Sequence, residues 1–358
     1  MEPGHSSVPV IASFPNPFPG NPYLALLYTH LERESVKYQY SGHFGQEWLR
    51  ANRGKITFLH FHWIGEYYAD SNGNPSILRM LIFVAKIWLA RSLGYQIIWT
   101  MHNLYPHDRK STFKEWFCRL LFIQSVNLIF INFPGARDDL RRLFRRTRNI
   151  FVVPHGNYRP IYLDIPDREI ARRALGLSDE DYIFFLFGGI RPYKGVHKAI
   201  AALAQLTDER ITLIVMGQCL DQKYQSQLIT LAENDKRVKL MLSKEDIPDD
   251  LMNLWMAAVD CVLAPYENIY TSGTLYLAAT FGKPIISPRK GIFIELDDVP
   301  FVITYDPEAD TSTLATKLSE VKQADLDKIQ QSARQFADAH EWSDIAKHIS
   351  KILYSHLH

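Results

Sequence analysis

One strand, loop and helix in the C-terminal half of this 358-residue chain constrain its fold more than any other segment. Residues 262–266 predict the end of a buried strand, and residues 275–280 have the apolar spacing of a helix. The first N–H groups of a helix have no partner within it, and small residues let a ligand approach them. The connecting loop therefore predicts either a phosphate site or an ordinary helix N-cap, formed by Ser272, Gly273 and Thr274.

A second loop of the same kind follows the apolar strand predicted at residues 184–187. It reads Gly-Gly-Ile-Arg-Pro-Tyr-Lys-Gly and contains Gly189, Arg191 and Lys194. An arginine can grip phosphate oxygens through its planar fork, and a lysine acts as a point charge. Because open α/β sheets bind ligands at the carboxyl ends of their strands, the two loops together predict a diphosphate site. A solvated basic loop is the structural alternative.

The composition indicates a globular protein of two domains. The length exceeds what one core normally serves, and 47% of the residues are hydrophobic while 22% are charged. A formal net charge of +1 gives no overall reason to expect a nucleic-acid partner. Cys118, Cys219 and Cys261 lie in or beside apolar runs without close pairing, which favours buried thiols in a cytoplasmic protein. The first residues lack the pattern of a secretory signal.

Strands and helices alternate along most of the sequence, which predicts an α/β fold with doubly wound parallel sheets. The first predicted strand, residues 8–13, is followed by a loop rich in proline, glycine and asparagine. Gly20 and Asn21 in this loop would let the backbone approach a ligand. A rigid connection stiffened by proline explains the same residues equally well.

Histidines gather near two predicted strands of the N-terminal half. His60 and His62 share one face of the strand at residues 56–63, and no Cys, Asp or Glu accompanies them at ligand spacing. We therefore expect His60 to be a core residue and His62 to reach the carboxyl end of its strand. A second cluster, made of His102, Asn103, His107 and Asp108, follows the strand at residues 96–100. It is a candidate site for acceptor chemistry, or else a surface turn.

Two segments of the N-terminal half raise the question of a membrane. Residues 77–93 predict a helix that is apolar nearly all round, which is typical of a core helix or of one that lies on a bilayer. Residues 110–148 are basic, with arginines interleaved among apolar side chains. Such a run is either a solvated face or a contact for an anionic membrane surface.

These motifs together resemble those of the GT-B nucleotide-sugar glycosyltransferases, in particular the bacterial family 4, or group 1, enzymes. The resemblance is carried by GGIRPYKG, by strand–SGT–helix–FGKP, by WTMHNLYPHD at residues 99–108 and by VPHGNY at residues 153–158. It extends over residues 9–342. Many relatives have a second glutamate in the helix after SGT, but this chain has Leu275, Tyr276 and Leu277 there, and Glu267 is the acid nearby.

The resemblance implies a GT-B fold, with two Rossmann-like domains facing across a cleft. Residues 1–157 would form the acceptor-binding domain and residues 158–340 the nucleotide-sugar-binding domain. Residues 341–358 would form a helix that packs back on the first domain. The sequence has no G-x-G-x-x-G after a strand, which argues against the alternative of a dinucleotide oxidoreductase.

The implied activity is transfer of a hexose from a UDP- or GDP-sugar to a glycan or a lipid-linked saccharide, in surface polysaccharide or glycoconjugate synthesis. No cofactor or metal is expected, since Asp179-Glu180-Asp181 precedes a strand and predicts a polar turn. The donor-binding residues would be Gly189, Arg191, Lys194, Gly217, Glu267, Ser272, Gly273 and Thr274. The acceptor or cleft residues would be Gly20, Asn21, His62, Asn103 and His155. The departure at Leu277 keeps a non-catalytic GT-B scaffold as an alternative.

Two catalytic schemes follow for the cluster after residues 96–100. In an inverting enzyme, Asp108 would accept the proton of the acceptor hydroxyl, with His107 as the second candidate. In a retaining enzyme, the leaving phosphate would take that proton, and His102 would hydrogen-bond the transferred sugar. Arg191 and Lys194 stabilise the leaving diphosphate in both schemes. The resemblance favours retention.

Overall fold

The computed structural model describes residues 8–71, 73–105 and 112–357. These residues form two compact units. The first unit contains the described residues up to Gly156 together with those from His340 onward, and the second unit runs from Asn157 to Ala339.

The first unit is built on a parallel sheet that has six strands in the described part of the chain. The strands are β1 (Val10–Phe14), β2 (Lys37–Tyr38), β3 (Phe58–Phe61), β4 (Gln96–Met101), β5 (Leu128–Ile131) and β6 (Ile150–Val152). Their order across the sheet is β2-β1-β3-β4-β5-β6. The inner strands are buried on both faces, which is why they have near-continuous apolar sequences.

The helices of this unit cover the two faces of the sheet. They are α1 (Pro22–Arg33), α2 (Gln46–Ala51), α3 (Gly65–Tyr68), α4 (Ile77–Ser92), α5 (Phe113–Ser125) and α6 (Ala136–Phe144). Helix α1 begins where Asn21 Oδ1 accepts a hydrogen bond from the N–H of Tyr23 at 3.2 Å, and Pro22 stands at the first helical position. Both features are typical helix starts.

Helix α4 is not the fully buried core helix that the sequence allowed as one of two alternatives. Only one of its faces is buried, through Met80, Phe83, Ile87 and Ala90. The opposite face is exposed, although it carries Leu78, Leu81, Ile82 and Trp88. A helix that is apolar nearly all round is therefore covered by protein on one side alone. No helix in the described ranges is both long enough and apolar enough to cross a bilayer.

The second unit contains another parallel sheet, also six-stranded within the described residues. Its strands are β7 (Tyr182–Phe187), β8 (Ile211–Gln218), β9 (Val238–Ser243), β10 (Cys261–Leu263), β11 (Ile285–Pro288) and β12 (Val302–Tyr305). Their order is β12-β11-β10-β7-β8-β9. Within this sheet, β8 and β9 follow β7 on one side, and β10 then lies on the other side of β7. The boundary between β7 and β10 is therefore the topological switch point of a doubly wound sheet, where such folds bind ligands.

The helices of the second unit alternate with these strands. They are α7 (Arg168–Leu175), α8 (Val196–Leu203), α9 (Gln222–Ala232), α10 (Asp249–Ala258), α11 (Gly273–Thr280), α12 (Thr311–Val321) and α13 (Leu326–Asp338). Short 3-10 turns lie at Pro192–Lys194 and Gly291–Ile294. The core between the sheet and its helices is apolar, with Leu186, Leu213 and Ile286 among its fully buried members.

The last helix, α14 (Trp342–Tyr354), returns to the first unit as the sequence predicts. Its buried face packs with α1 in one apolar cluster, and Ser350 Oγ donates a hydrogen bond to the carbonyl of Glu34 at 3.0 Å. Gly156 is needed for this return, because a Cβ there would lie 2.3 Å from the indole of Trp342. The two parallel sheets with their helices are the predicted α/β arrangement.

Candidate functional site

Both predicted phosphate loops lie at the switch point of the second unit. Strands β7 and β10 are paired in register, with Phe184 opposite Cys261. Each strand ends in a loop that leads into an eight-residue helix, α8 after β7 and α11 after β10. The N-termini of these two helices therefore follow the carboxyl ends of adjacent strands. Their unpaired N–H groups and dipoles favour a negatively charged ligand at this edge.

The two loops are packed tightly against each other. Gly195 has φ of +67°, and a Cβ there would lie only 2.0 Å from the carbonyl oxygen of Pro265. The N–H of Glu267 donates a hydrogen bond to the carbonyl of Tyr193 at 2.7 Å. Because glycine alone permits this contact, the loops hold a fixed geometry.

Lys194 joins the two loops through its side chain. Its Nζ donates hydrogen bonds to the carbonyl of Phe187 at 3.1 Å and to Tyr266 Oη at 3.2 Å. The ammonium also lies 5.0 Å from the centre of the Tyr266 ring, a cation–π contact. Tyr266 Oη is in turn 3.0 Å from Thr274 Oγ1 at the start of α11. Burial lowers the pKa of Lys194, but Tyr266 and Tyr193 raise it more, so the net pKa lies above its ordinary value. Lys194 is therefore a fixed cation between the two helix starts.

Three further predicted donor residues belong to the same two loops. Two of them, Arg191 and Gly189, face solvent, and the third is Ser272. Arg191 and Gly189 are exposed, and a Cβ added at Gly189 would meet open space. Ser272 is buried at the N-cap position of α11, but its hydroxyl makes no capping hydrogen bond. The ordinary cap, which was the alternative for this loop, is therefore not formed by the Ser272 side chain.

Gly217 and Glu267 have contacts within the unit itself. Gly217 has φ of +140°, and a Cβ there would lie 2.0 Å from the carbonyl oxygen of Gly188. It is thus needed for the close approach of β8 to the loop after β7. The carboxylate of Glu267 is 3.2 Å from Lys198 Nζ and 3.4 Å from His197 Nε2 on α8. This side chain is partly exposed, so its ion pair with Lys198 is weakly held.

The predicted residues of the first unit gather at the carboxyl ends of β3 and β4. His62 follows β3 and His102 follows β4, and His62 Nδ1 lies 3.1 Å from His102 Nε2. Trp63 stacks on His102 with ring centres 4.8 Å apart. Asn103 is next to this pair, and its carbonyl accepts a hydrogen bond from Arg119 at 3.2 Å.

His155 reaches the same cluster from the segment after β6. Its ring lies 4.8 Å from the ring of Tyr23, which in turn is 5.0 Å from that of His102. His155 Nδ1 is 2.6 Å from the carbonyl oxygen of Gly156, to which it donates. His62, His102 and His155, predicted from three separate motifs, are thus brought together around Tyr23.

Burial keeps these imidazoles neutral. It lowers the pKa of His102 to about 3, with a further contribution from His155. Burial also lowers the pKa of His155 to about 4 and that of His60 to about 3, and His62 shifts in the same direction. Neutral rings with fixed partners suit hydrogen bonds to hydroxyl groups better than ion pairs with phosphates.

Other sequence predictions for this unit have different outcomes. His60 is a core histidine as expected, with Nε2 2.7 Å from Thr100 Oγ1. Gly20 is exposed, and Asn21 is used as the cap of α1, which favours the structural explanation for that loop. His107 and Asp108 lie outside the described residues, so their roles stay predictions.

Sequence reasoning missed four aromatic residues that organise these sites. Tyr23 and Tyr28 fall on the buried face of α1, Trp342 begins α14, and Tyr266 lies in the loop after β10. A polar-tipped aromatic on the buried face of a predicted helix was the available signal. Its partners come from distant segments, which spacing cannot show. Among the described residues, no group of three or more His, Cys, Asp or Glu side chains is arranged to hold a metal ion.

The two units have the parallel sheets of the GT-B fold, and the edge around Lys194 in the second unit is cationic. Comparisons with known proteins name the class more closely. Residues 167–296 match the family model of glycosyl transferases group 1. The protein is a glycosyltransferase with the GT-B fold, as the motifs predicted.

Individual relatives cover most of the chain at low identity. A GDP-mannose:glycolipid 4-beta-D-mannosyltransferase of Xanthomonas campestris is 25% identical over 308 residues, which is 85% of this chain and 81% of the relative. A D-inositol 3-phosphate glycosyltransferase of Corynebacterium efficiens is 23% identical over 92% of this chain and 78% of the relative. Among solved structures, Anabaena Alr3699/HepE in complex with UDP and glucose has a TM-score of 0.73 at 17% identity, covering 98% of this chain and 100% of that one.

Proposed function

We propose that this glycosyltransferase moves a hexose from a UDP- or GDP-linked donor to a saccharide acceptor carried on a lipid, in the synthesis of a surface polysaccharide or glycoconjugate. The observation that carries the donor side is Lys194. Its ammonium is fixed between the carbonyl of Phe187 and Tyr266, at the edge where α8 and α11 begin. A diphosphate is the ligand whose charge suits this arrangement.

The same groups explain how the reaction would be accelerated. Sugar transfer develops positive charge on the sugar ring and negative charge on the leaving diphosphate. Lys194, Arg191 and the first N–H groups of α11 would stabilise that negative charge as it grows. These groups carry their charge or dipole without a metal ion, so we propose that the enzyme is metal-independent and needs no cofactor.

A GDP-linked hexose is the first donor to test. The mannosyltransferase of Xanthomonas campestris uses GDP-mannose, while the Anabaena structure contains UDP and glucose. The purified protein should be incubated with each nucleotide sugar and a glycolipid acceptor, and the products should be read by mass spectrometry. Transfer from one donor alone would assign base and sugar. Absence of transfer or donor hydrolysis with every UDP- and GDP-hexose would contradict the proposed donor class.

The acceptor side is supported by the exposed face of α4. Its sequence contains three cations, Arg79, Lys86 and Arg91, and no acidic residue. The guanidinium of Arg91 lies 4.9 Å from the centre of the exposed Trp88 ring. Exposed apolar side chains flanked by cations match a bilayer that contains anionic lipid headgroups. We therefore place the membrane contact on α4.

A pocket beside this face offers a place for the saccharide. It has a volume of about 420 Å³, lies at the carboxyl end of β1, and shares residues with α4. Its lining includes Asn16, Ser41 and His43 as polar groups, with Ile82 and Lys86 from the helix. A lipid-linked acceptor could thus present its sugar to the pocket while its lipid stays beside α4.

The basic segment predicted from the sequence is less suited to that contact. Beside its arginines, Leu140 and Phe144 are buried, so these apolar side chains are not available to a bilayer, whereas Phe113 near the start of the segment is exposed. Arg141 and Arg142 lie near Asp138 and Asp139 on the same helix. Arg146 donates hydrogen bonds to the carbonyls of Asn127 and Arg148. These contacts indicate a solvated cationic face.

Liposome flotation tests the location of the membrane contact. Leu81→Glu on α4 should reduce flotation with anionic vesicles about tenfold, because a charge replaces an exposed apolar side chain. Ile170→Glu, at a similarly exposed site on α7, should leave flotation unchanged. Raised salt should release the wild-type protein. Equal flotation of Leu81→Glu and wild type would contradict the assignment to α4.

The anomer of the product decides between the two catalytic schemes. If the product is inverted, Asp108→Asn should lower kcat far more than KM, because the base is lost. If it is retained, Asp108→Asn should be mild and His102→Ala severe. The Xanthomonas campestris relative is described as a beta-mannosyltransferase, so the retention favoured by the motifs needs this direct measurement by NMR. An inverted product with a fully active Asp108→Asn enzyme would contradict both schemes.

A further inference from the structure

A chain of buried hydrogen bonds leads from the core of the first unit to His102. Tyr28 Oη lies 2.9 Å from His60 Nδ1 and 2.8 Å from His62 Nε2. His62 Nδ1 then lies 3.1 Å from His102 Nε2. At the other end, His60 Nε2 is 2.7 Å from Thr100 Oγ1. Every ring nitrogen of His60 and His62 is thus engaged.

The contact between His62 and His102 couples their tautomers. Both rings are neutral because burial lowers their pKa values, so each carries one N–H. If the proton of His62 is on Nε2, its Nδ1 accepts, and His102 must donate from Nε2. If the proton of His62 is on Nδ1, His102 Nε2 must accept, and the His102 proton is on Nδ1. The two rings therefore hold the same tautomer.

One O–H bond selects the tautomer of His62. When the hydroxyl of Tyr28 donates to His62 Nε2, that nitrogen is unprotonated and the proton lies on Nδ1. When the hydroxyl points to His60 or to the side chain of Ser13, His62 Nε2 must donate to the phenol oxygen instead. Burial raises the pKa of Tyr28 well above its ordinary value, and the hydrogen bond with Ser13 opposes this shift. Tyr28 is therefore a neutral phenol with a single proton to give.

We propose that Tyr28 is a positioning residue, which acts through His62 and decides whether His102 Nδ1 is a hydrogen-bond donor or an acceptor. Since Nε2 of His102 is engaged by His62, Nδ1 is the atom through which His102 addresses other groups. The importance of this for sugar transfer rests on the proposed function, in which His102 contacts the transferred sugar or the acceptor. The tautomer coupling itself rests only on the hydrogen bonds of the first unit.

Aromatic rings surround this chain of hydrogen bonds. The rings of Tyr23 and Trp63 pack against His102, and His155 packs against Tyr23. Tyr38 stacks on Tyr28 with ring centres 4.4 Å apart. The hydroxyl of Tyr38 contacts Ser13 at 2.8 Å and donates to Asn16. The hydrogen bonds that link Tyr28, His60, His62 and His102 to one another and to Thr100 join only hydroxyl groups and imidazoles, which are neutral groups.

The coupling can be measured by ¹⁵N NMR on the whole protein with labelled histidines. Ring signals of His62 and His102 are assigned from His62→Gln and His102→Gln. We expect both rings to report the same tautomer in the wild type. In Tyr28→Phe the selecting hydroxyl is gone, so the His102 signals should shift towards a mixture of tautomers, and kcat should fall about tenfold while the donor KM changes by less than about twofold.

Tyr95→Phe is the matched control. Tyr95 is also buried in the first unit, and its hydroxyl donates to the carbonyl of Leu49 at 2.7 Å, away from the histidines. The control loses a buried hydrogen bond of the same kind, but its His102 spectrum and kcat should match those of the wild type.

Two results would overturn the inference. Opposite tautomers at His62 and His102 in the wild type would show that the coupling does not exist, and this measurement does not depend on the Tyr28→Phe variant. An unchanged His102 spectrum in folded Tyr28→Phe would show that Tyr28 does not select the tautomer, whatever the rate does. Neither spectrum needs a sugar donor, so failure here is distinct from failure of the proposed transfer reaction.

Discussion

The two sheets have the same architecture, but the side chains at their carboxyl edges differ in charge. In the second unit, Lys194 is partly buried, and Tyr266 and Tyr193 raise its pKa more than burial lowers it. In the first unit, burial dominates and lowers the pKa of His102 to about 3. Burial alone therefore does not decide the charge of a site, because neighbouring groups can offset the pKa shift that burial causes.

This difference corresponds to what each edge would bind. A charged edge with two helix N-termini suits a ligand that stays anionic throughout the reaction. An edge of neutral imidazoles suits sugar hydroxyls, which exchange hydrogen bonds without changing charge. The comparison thus predicts that variants of the second unit change donor affinity and leaving-group stabilisation, while variants of the first unit change proton placement.

The largest effect is expected for Lys194→Met. Loss of the fixed cation should lower kcat by two to three orders of magnitude, on the order of 3 kcal/mol of charge stabilisation. The reason is that Arg191 and the helix N–H groups remain, but the charge between the two loops is gone. Steady-state kinetics and donor calorimetry measure this. Lys322→Met, which removes a cation paired with Asp208 in the same unit, should leave both unchanged.

A wild-type rate in Lys194→Met would break the comparison, because the second edge would then work without its central charge. The melting temperature of the variant must be measured beside the rate, since Lys194 also donates hydrogen bonds to Phe187 and Tyr266. A folded variant with weak donor binding separates the binding role from the structural one.

Two glycine substitutions should have smaller effects, one on donor affinity and the other on stability. Gly189→Ala places a methyl group in open space, so stability should be unchanged while donor affinity falls about tenfold through contact with the ligand. Gly217→Ala should instead destabilise the second unit by about 2 kcal/mol or more, because its Cβ would meet the carbonyl of Gly188 at a positive φ. Thermal unfolding and calorimetry measure the two effects. Normal donor affinity in Gly189→Ala would show that the donor does not contact this loop at Gly189.

The last prediction is a pH dependence of stability that belongs to the first unit. His60 and His155 have folded pKa values of about 3 and about 4, below the unfolded value. Between those values and roughly pH 6.5 the unfolded chain binds protons that the folded unit does not, so stability is complete above this window and falls as pH is lowered through it. The slope should be about 1.4 kcal/mol per pH unit for each such histidine.

Urea unfolding between pH 4 and 7, followed by a probe in each unit, tests this last expectation. His60→Gln should flatten the slope of the first unit, and the unfolding of the second unit should show no matching dependence. Equal slopes for the two units, or a slope that His60→Gln leaves unchanged, would contradict the assignment of the neutral histidines to the first edge.

The sequence by itself determined the fold class and the placement of the two candidate phosphate loops. Alternating strands and helices predicted two doubly wound sheets, and GGIRPYKG after a strand placed Arg191 and Lys194 at a carboxyl edge, because the strand and the turn are local features. The helix start at Gly273 was equally local. The sequence also predicted that His60 is a core residue.

Only the tertiary structure decided how these groups are joined. The chain Lys194–Tyr266–Thr274 brings together two loops more than 70 residues apart, and the chain Tyr28–His62–His102 brings together a helix and two strands. Spacing along the sequence contains no information on such contacts. It likewise could not show that α4 leaves Leu81 and Trp88 exposed, since burial depends on which other helices cover a face. Local sequence sets the elements, whereas the hydrogen bonds and charge states of the two edges exist only because distant segments meet.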